Sequence, residues 1–221
     1  MVQMKYPVFI QALALTIIVF IIGMYSGIAL ENSRFATIND YQIQSETSLM
    51  DIMTLNNIVG VTNVSCTQLK DANFNMLNKI YSDASLLDTF QDSQRMNKNL
   101  NILHKKYDVL RAYLWIDSIK IKQRCGNNFN TVVYLYNNNQ TDLTVKAEQN
   151  IWSHVLYQVK AENDNSTLLI PISVDSNLIS IQPLLNSLNI TTYPAVVINE
   201  KNVLYNVSTK SDVEDYLNKF N

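Results

Sequence analysis

The sequence predicts an α/β domain carried behind a helical hairpin and one N-terminal transmembrane helix. Three observations lead there. Val8 to Leu30 is a long apolar run without a charge. Two helical stripes flank a polar stretch, Gln91 to Asn99. After about residue 127, short apolar strands alternate with helical segments. The expected division is therefore an anchor at 8–30, a coiled-coil-like helical hairpin spacer at 31–126 and an α/β domain at 127–221.

A chain of 221 residues is long enough for one ordinary domain with attachments. A formal net charge of −2 gives no basis for a nucleic-acid partner held by bulk charge. Gly and Pro number only four each, and so few chain-breakers favour long helices over an all-β sandwich. The two cysteines, Cys66 and Cys125, stand far apart and in no metal-ligand spacing. No phosphate-cradling Gly-rich loop and no Gly-x-Ser-x-Gly elbow is present, so no cofactor is expected.

The run VFIQALALTIIVFIIGMYSGIAL spans Val8–Leu30. At ~1.5 Å per residue, a helix of this length crosses the ~30 Å hydrocarbon core of a bilayer. Lys5 precedes it, and Glu31 and Arg34 follow. The positive-inside rule leans towards a cytoplasmic N-terminus and an extracytoplasmic remainder, with flanking charges nearly balanced. The alternative is a cleaved signal peptide, with Gly27 and Ala29 as small residues before the cut. Its apolar core would be only ~7–15 residues, shorter than this run.

From Glu31 to about Gly126 no strand pattern and no proline occurs. Residues 34–60 carry a loose helical stripe, including Ile38, Leu49, Ile52 and Ile58. Leu69, Ala72, Met76, Ile80, Ala84 and Leu87 follow steps of three and four, which makes one helix face apolar. Met96, Leu100, Leu103, Tyr107, Leu110 and Leu114 alternate four and three, the seam of a coiled coil or tight hairpin. Intramolecular packing is the simpler reading of that seam, and a homodimer through the spacer is the sharper one. If Gln91–Asn99 is the hairpin tip, Cys66 and Cys125 fall level with each other at its open end. A disulfide is then expected if the domain lies outside the cytoplasm, and two buried thiols if it lies inside.

The remainder reads Thr131–Tyr136 as strand, Leu143 to about Lys160 as helix and Thr167–Val174 as strand. Leu178–Leu188 reads as helix, Ala195–Asn199 and Val203–Val207 as strands, and Ser211–Phe220 as helix. The first two strands need a right-handed parallel crossover through their helix. Glu200-Lys201-Asn202 is too short for a crossover, so the last two strands form a hairpin.

This βαβαββα order, with the run Ile190-Thr191-Thr192-Tyr193-Pro194-Ala195-Val196-Val197-Ile198, resembles the thioredoxin-like superfamily from about residue 128 to 221. The resemblance implies a cis peptide at Tyr193–Pro194, facing the turn after the first strand. It also implies that the backbone before the proline pairs with an extended peptide. The turn that would hold the Cys-x-x-Cys pair reads Gln140-Thr141-Asp142-Leu143, so the chain is similar to a membrane-anchored member with a helical spacer and a degenerate redox turn. Thioredoxin chemistry needs a thiolate and a resolving thiol, and Gln140 and Leu143 supply neither. The ordinary reaction is excluded unless Cys66 or Cys125 substitutes, and Cys125 precedes the wrong end of the first strand. Asn138, Asn139, Thr141 and Asp142 are candidate caps for the helix that follows.

His104 and His154 stand singly in helices without a ligand partner in spacing, and Asp71, Asp83, Asp88 and Asp92 read as a solvated face. Asn63, Asn139, Asn165, Asn189 and Asn206 each begin an N-x-Ser/Thr sequon, a pattern that chance also produces in a chain rich in these residues. The expected function is a redox-inactive binding or scaffolding module at the outer membrane face. A protein or peptide partner would meet Thr192, Tyr193, Pro194, Gln140 and Leu143, with membrane lipid around the N-terminal helix. Two alternatives stay open: a thiol-disulfide oxidoreductase using Cys66 and Cys125, and a self-associating structural envelope protein.

Overall fold

The structure, a computed structural model, describes residues 6–58, 64–88 and 97–219. It divides into two units, Met1–Thr47 and Ser48–Asn221. Helix α1, Tyr6–Ile58, runs through the first unit and its end belongs to the second. Val8–Ser33 is long and apolar enough to cross a membrane, and none of it is buried in the protein. The predicted hairpin tip falls mostly at residues 89–96, outside the described residues, as does Met96 of the seam.

In the second unit, α2 (Cys66–Asp88) and α3 (Asn97–Cys125) pack against each other. Cys66 and Cys125 form a disulfide with their Cα atoms 5.7 Å apart, as the hairpin register requires. Asn73 Nδ2 donates to Ser118 Oγ at 3.4 Å, equidistant along each helix from the cysteines and so in the same register. Ser65 starts α2: its Oγ accepts from Gln68 N, and Gln68 Oε1 accepts from Ser65 N. That reciprocal pair satisfies donors that a helix start leaves open.

A mixed four-stranded sheet follows, with β1 Asn130–Tyr136, β2 Thr167–Ser173, β3 Ala195–Ile198 and β4 Asn202–Leu204 in the order β2-β1-β3-β4. β1 and β2 are parallel, with Val132 level with Leu169. They are joined by α4, Leu143–Glu162. β1 and β3 are antiparallel, with Leu135 level with Ala195, and β3 and β4 form the expected hairpin. Trp152, Leu156 and Val159 of α4 pack with Val132, Tyr134, Leu169, Val196 and Ile198 on one face. α3 lies against β1 and β2, and Lys122 reaches Thr131, so the alternate residues of β1 face α3. Helices on both sides explain why β1 is an almost continuous apolar run.

β2 is an edge strand, and it is shielded. Pro171 has no N–H to offer, and the Tyr81 hydroxyl of α2 donates to Leu169 O at 2.9 Å. Burial raises the Tyr81 phenol far above its ordinary range, so it stays a protonated donor.

Three predicted elements are shorter in the structure. Leu178–Leu188 resolves into a 3-10 turn at Ile179–Ile181 and a short α5, Gln182–Ser187. Pro183 sits in the first turn of α5, where its missing N–H is tolerated, so one helix cannot run through it. Strand four ends at Leu204, and further on Ser208 N and Thr209 N donate to Asp212 Oδ2. The last helix, α6, is only Ser211–Glu214. Its continuation breaks as Asn218 N and O turn to the Asn130 side chain.

Candidate functional site

The edge where β1 and β2 end and β3 begins collects the residues singled out from sequence. Carrying the β1–β3 ladder one step beyond Leu135–Ala195 sets Tyr136 level with Pro194. The turn 137–142 and the Tyr193–Pro194 loop therefore share one end of the sheet. The Tyr193–Pro194 peptide is cis. Pro194 is buried, Tyr193 and Gln140 are half-buried, Thr192 is exposed and Leu143 is 81% exposed. Burial, with Tyr205 nearby, raises the Tyr193 phenol above its ordinary value.

The turn is closed by the chain's own side chains. Asp142 is the N-cap of α4: its Oδ1 accepts from Thr144 N at 2.8 Å and Val145 N at 3.3 Å. Gln140 Oε1 accepts from Asp142 N at 3.0 Å. Gln149, buried on α4, accepts from Asn137 N at 2.9 Å and donates to Asn137 O at 3.1 Å. Asp175, beyond β2, accepts from Asn138 N at 3.0 Å and Asn139 N at 2.7 Å. Four of these amides are thus occupied by two carboxylates and two more by glutamine side chains. Asn138, Asn139, Thr141 and Asp142 of the turn are exposed, as is Leu143 at the start of α4.

Comparison with family models, with curated proteins and with solved structures returns no match. The site is therefore read from its own chemistry.

Burial alone would raise the Asp175 carboxyl, but hydrogen bonds from Ser173 Oγ and from the Asn139 and Asn138 amides outweigh it and hold it below the usual carboxylate range. Asp175→Ala is expected to cost about 1 kcal/mol at neutral pH, small because the group is part-exposed. A depressed carboxyl stabilises above the ordinary Asp value of about 3.9, and that stability is lost as pH falls through its lower folded value. The gap in urea midpoint between wild type and variant should narrow as the pH falls below about 4. A gap that does not change with pH would contradict this account.

Behind the loop after β2 lies a buried pair that sequence reading missed. Asp108 and Arg111 of α3 meet at 3.2 Å. Asp108 also accepts from Ser173 N at 3.3 Å and from the Ser176 hydroxyl. Burial pushes the Asp108 carboxyl up, against the pull of Ser176 and Arg111. At the opposite end of the sheet, Lys122 Nζ is buried among Thr131 Oγ1 at 2.6 Å, Asn199 Oδ1 at 3.0 Å and Glu200 Oε2 at 3.1 Å. Trp115 Nε1 donates to the other oxygen of Glu200 at 3.2 Å. Burial lowers the Lys122 ammonium, and Glu200 opposes the shift. Both clusters tie α3 to the sheet. A second α3 stripe, Asp108, Arg111, Trp115, Ser118 and Lys122 at steps of three and four, was the available signal.

The Cys66–Cys125 disulfide lies on the far side of β1 from the turn, since Cys125 precedes the β1 start and the turn follows its end. The seam residues Leu103, Tyr107, Leu110 and Leu114 are buried within the unit, so they present no surface to a second copy. Among the described residues no group of three His, Cys, Asp or Glu side chains could hold a metal ion.

Proposed function

We propose that the chain is a single-pass membrane protein with an extracytoplasmic, thioredoxin-like domain that binds an extended peptide segment without redox chemistry. The anchor is Val8–Ser33, and the disulfide supports an oxidising compartment. The strand order and the parallel and antiparallel pairings are compatible with the thioredoxin-like reading.

One observation carries the binding role. Thr192 and Tyr193 make no backbone hydrogen bond with any described residue, and they stand at the sheet end that also carries the exposed Leu143. Ile179, just beyond β2 at the same end, is 88% exposed. Unpaired main-chain groups beside exposed apolar side chains suit strand addition, in which the backbone gives affinity and side-chain contacts give selectivity.

The test is selection of an immobilised library of extended peptides with the full chain in lipid nanodiscs. Enriched peptides should bind Tyr193→Ala/Leu143→Asp about tenfold more weakly, equivalent to ~1.4 kcal/mol. No enrichment, or equal binding by the variant, would sink the proposal.

A further inference from the structure

The sequons differ sharply in how the fold presents them. In Asn189-Ile190-Thr191 the outer two residues are exposed, while Ile190 is only 6% exposed. In Asn206-Val207-Ser208 the pattern repeats, with Val207 at 0%. The middle residue is pinned into the core in both. Asn189 stands left-handed, at φ 53, where the chain leaves α5, and the asparagine and the hydroxyl residue are exposed in both sequons. In the second sequon the two are already in contact, since Ser208 Oγ donates to Asn206 Oδ1 at 3.2 Å. No hydrogen bond to a described residue holds the Asn189 side chain.

The other two described sequons fail on specific atoms. Asn139 Nδ2 donates to Asp175 Oδ2 at 2.9 Å, so its amide nitrogen is engaged. In Asn165-Ser166-Thr167 the Thr167 residue is 1% exposed and its Oγ1 is buried. Asn63 lies outside the described residues.

We infer that Asn189 and Asn206 are N-glycosylation sites of the folded domain, and that Asn139 and Asn165 are not. The inference rests on the extracytoplasmic reading above, because the sugar donor chemistry belongs to that side. The donor is a polyprenyl-phosphate-linked sugar, and a separate transferase supplies the catalysis. The side-chain amide nitrogen attacks the anomeric carbon and a C–N bond forms. The C–O bond to phosphate breaks, the polyprenyl phosphate leaves with the bonding pair, and the amide gives up one proton.

The experiment is glycopeptide mass spectrometry on the full chain from its native membranes. It is run beside Asn189→Gln, Asn206→Gln and the double variant, with protease accessibility measured on sealed vesicles. Thermal melts of the variants check that each still folds. Sugar on peptides covering 189 and 206, lost one site at a time in the single variants, with bare Asn139 and Asn165, is the expected result. Bare 189 and 206 in a protease-accessible domain overturn the inference and leave the topology standing. Equal occupancy at Asn165 overturns the structural selection. A protease-protected domain overturns the topology, and the inference falls with it.

Discussion

Lys122→Met is expected to destabilise the second unit by about 3 kcal/mol. The ammonium is buried and all three of its donors have acceptors, on Thr131, Asn199 and Glu200. Removing it leaves the Glu200 carboxylate, whose side chain is 19% exposed, with only the Trp115 indole and the Thr131 hydroxyl as donors. Breaking one side of a buried pair costs more than replacing both sides, because the stranded charge stays in a poor solvent. Glu200 adds a second term. It sits at φ 57, beside Asn199 at φ 51, in the tight turn between β3 and β4. Left-handed backbone costs a non-glycine residue roughly 1–2 kcal/mol, so the Lys122 contact also holds a turn that the backbone disfavours. Lys122→Met/Glu200→Gly removes both the stranded charge and the backbone cost, and should be more stable than Lys122→Met alone. Urea unfolding followed by tryptophan fluorescence reads this directly, since Trp115 and Trp152 are both fully buried in this unit. A double variant as unstable as the single one would refute the role given to Glu200.

Cys66→Ser is expected to cost about 4 kcal/mol, the chain-entropy value for a closed loop of about 60 residues. The contacts of the folded hairpin do not depend on the bond: Leu69, Met76, Leu77 and Ile80 of α2 stay buried on packing alone. The loss should therefore appear as a lower urea midpoint with native fluorescence retained in dilute buffer. Cys66→Ser and the Cys66→Ser/Cys125→Ser pair should coincide. A change below about 1 kcal/mol would mean that the unfolded hairpin is already compact without the bond.

The elements legible in the sequence were those with a strong local period. The apolar run of α1, the hairpin register with its cysteines, and the positions of β1, β2 and α4 followed from patterns within a few turns. Pro183 explains one of the shortened elements, a local signal that the apolar pattern overrode. The strand order was not legible, because pairing β1 with β3 joins residues far apart in the chain. Nor was the burial of Asp108, Arg111 and Lys122. A charged residue on a helix is ordinarily solvated, and only a sheet arriving from the other side makes it otherwise. At the candidate site the cap on α4 could be read from Asp142 and its neighbours. The reach of Asp175 back to Asn138 and Asn139 could not, since it needs the parallel pairing of β1 and β2 first.

The disulfide has a mechanical meaning. A pull on the chain N-terminal to Cys66 does not have to travel through α2 and α3. It crosses the sulfur bridge straight to Cys125, which is followed closely by β1. The hairpin is therefore out of the load path and cannot be drawn out like a spring. Tension is delivered near the end of the central strand, next to Thr131 and Lys122. With the bridge reduced, the same pull would peel α2 from α3 first, and the protein would yield by tens of ångströms before its sheet felt any force.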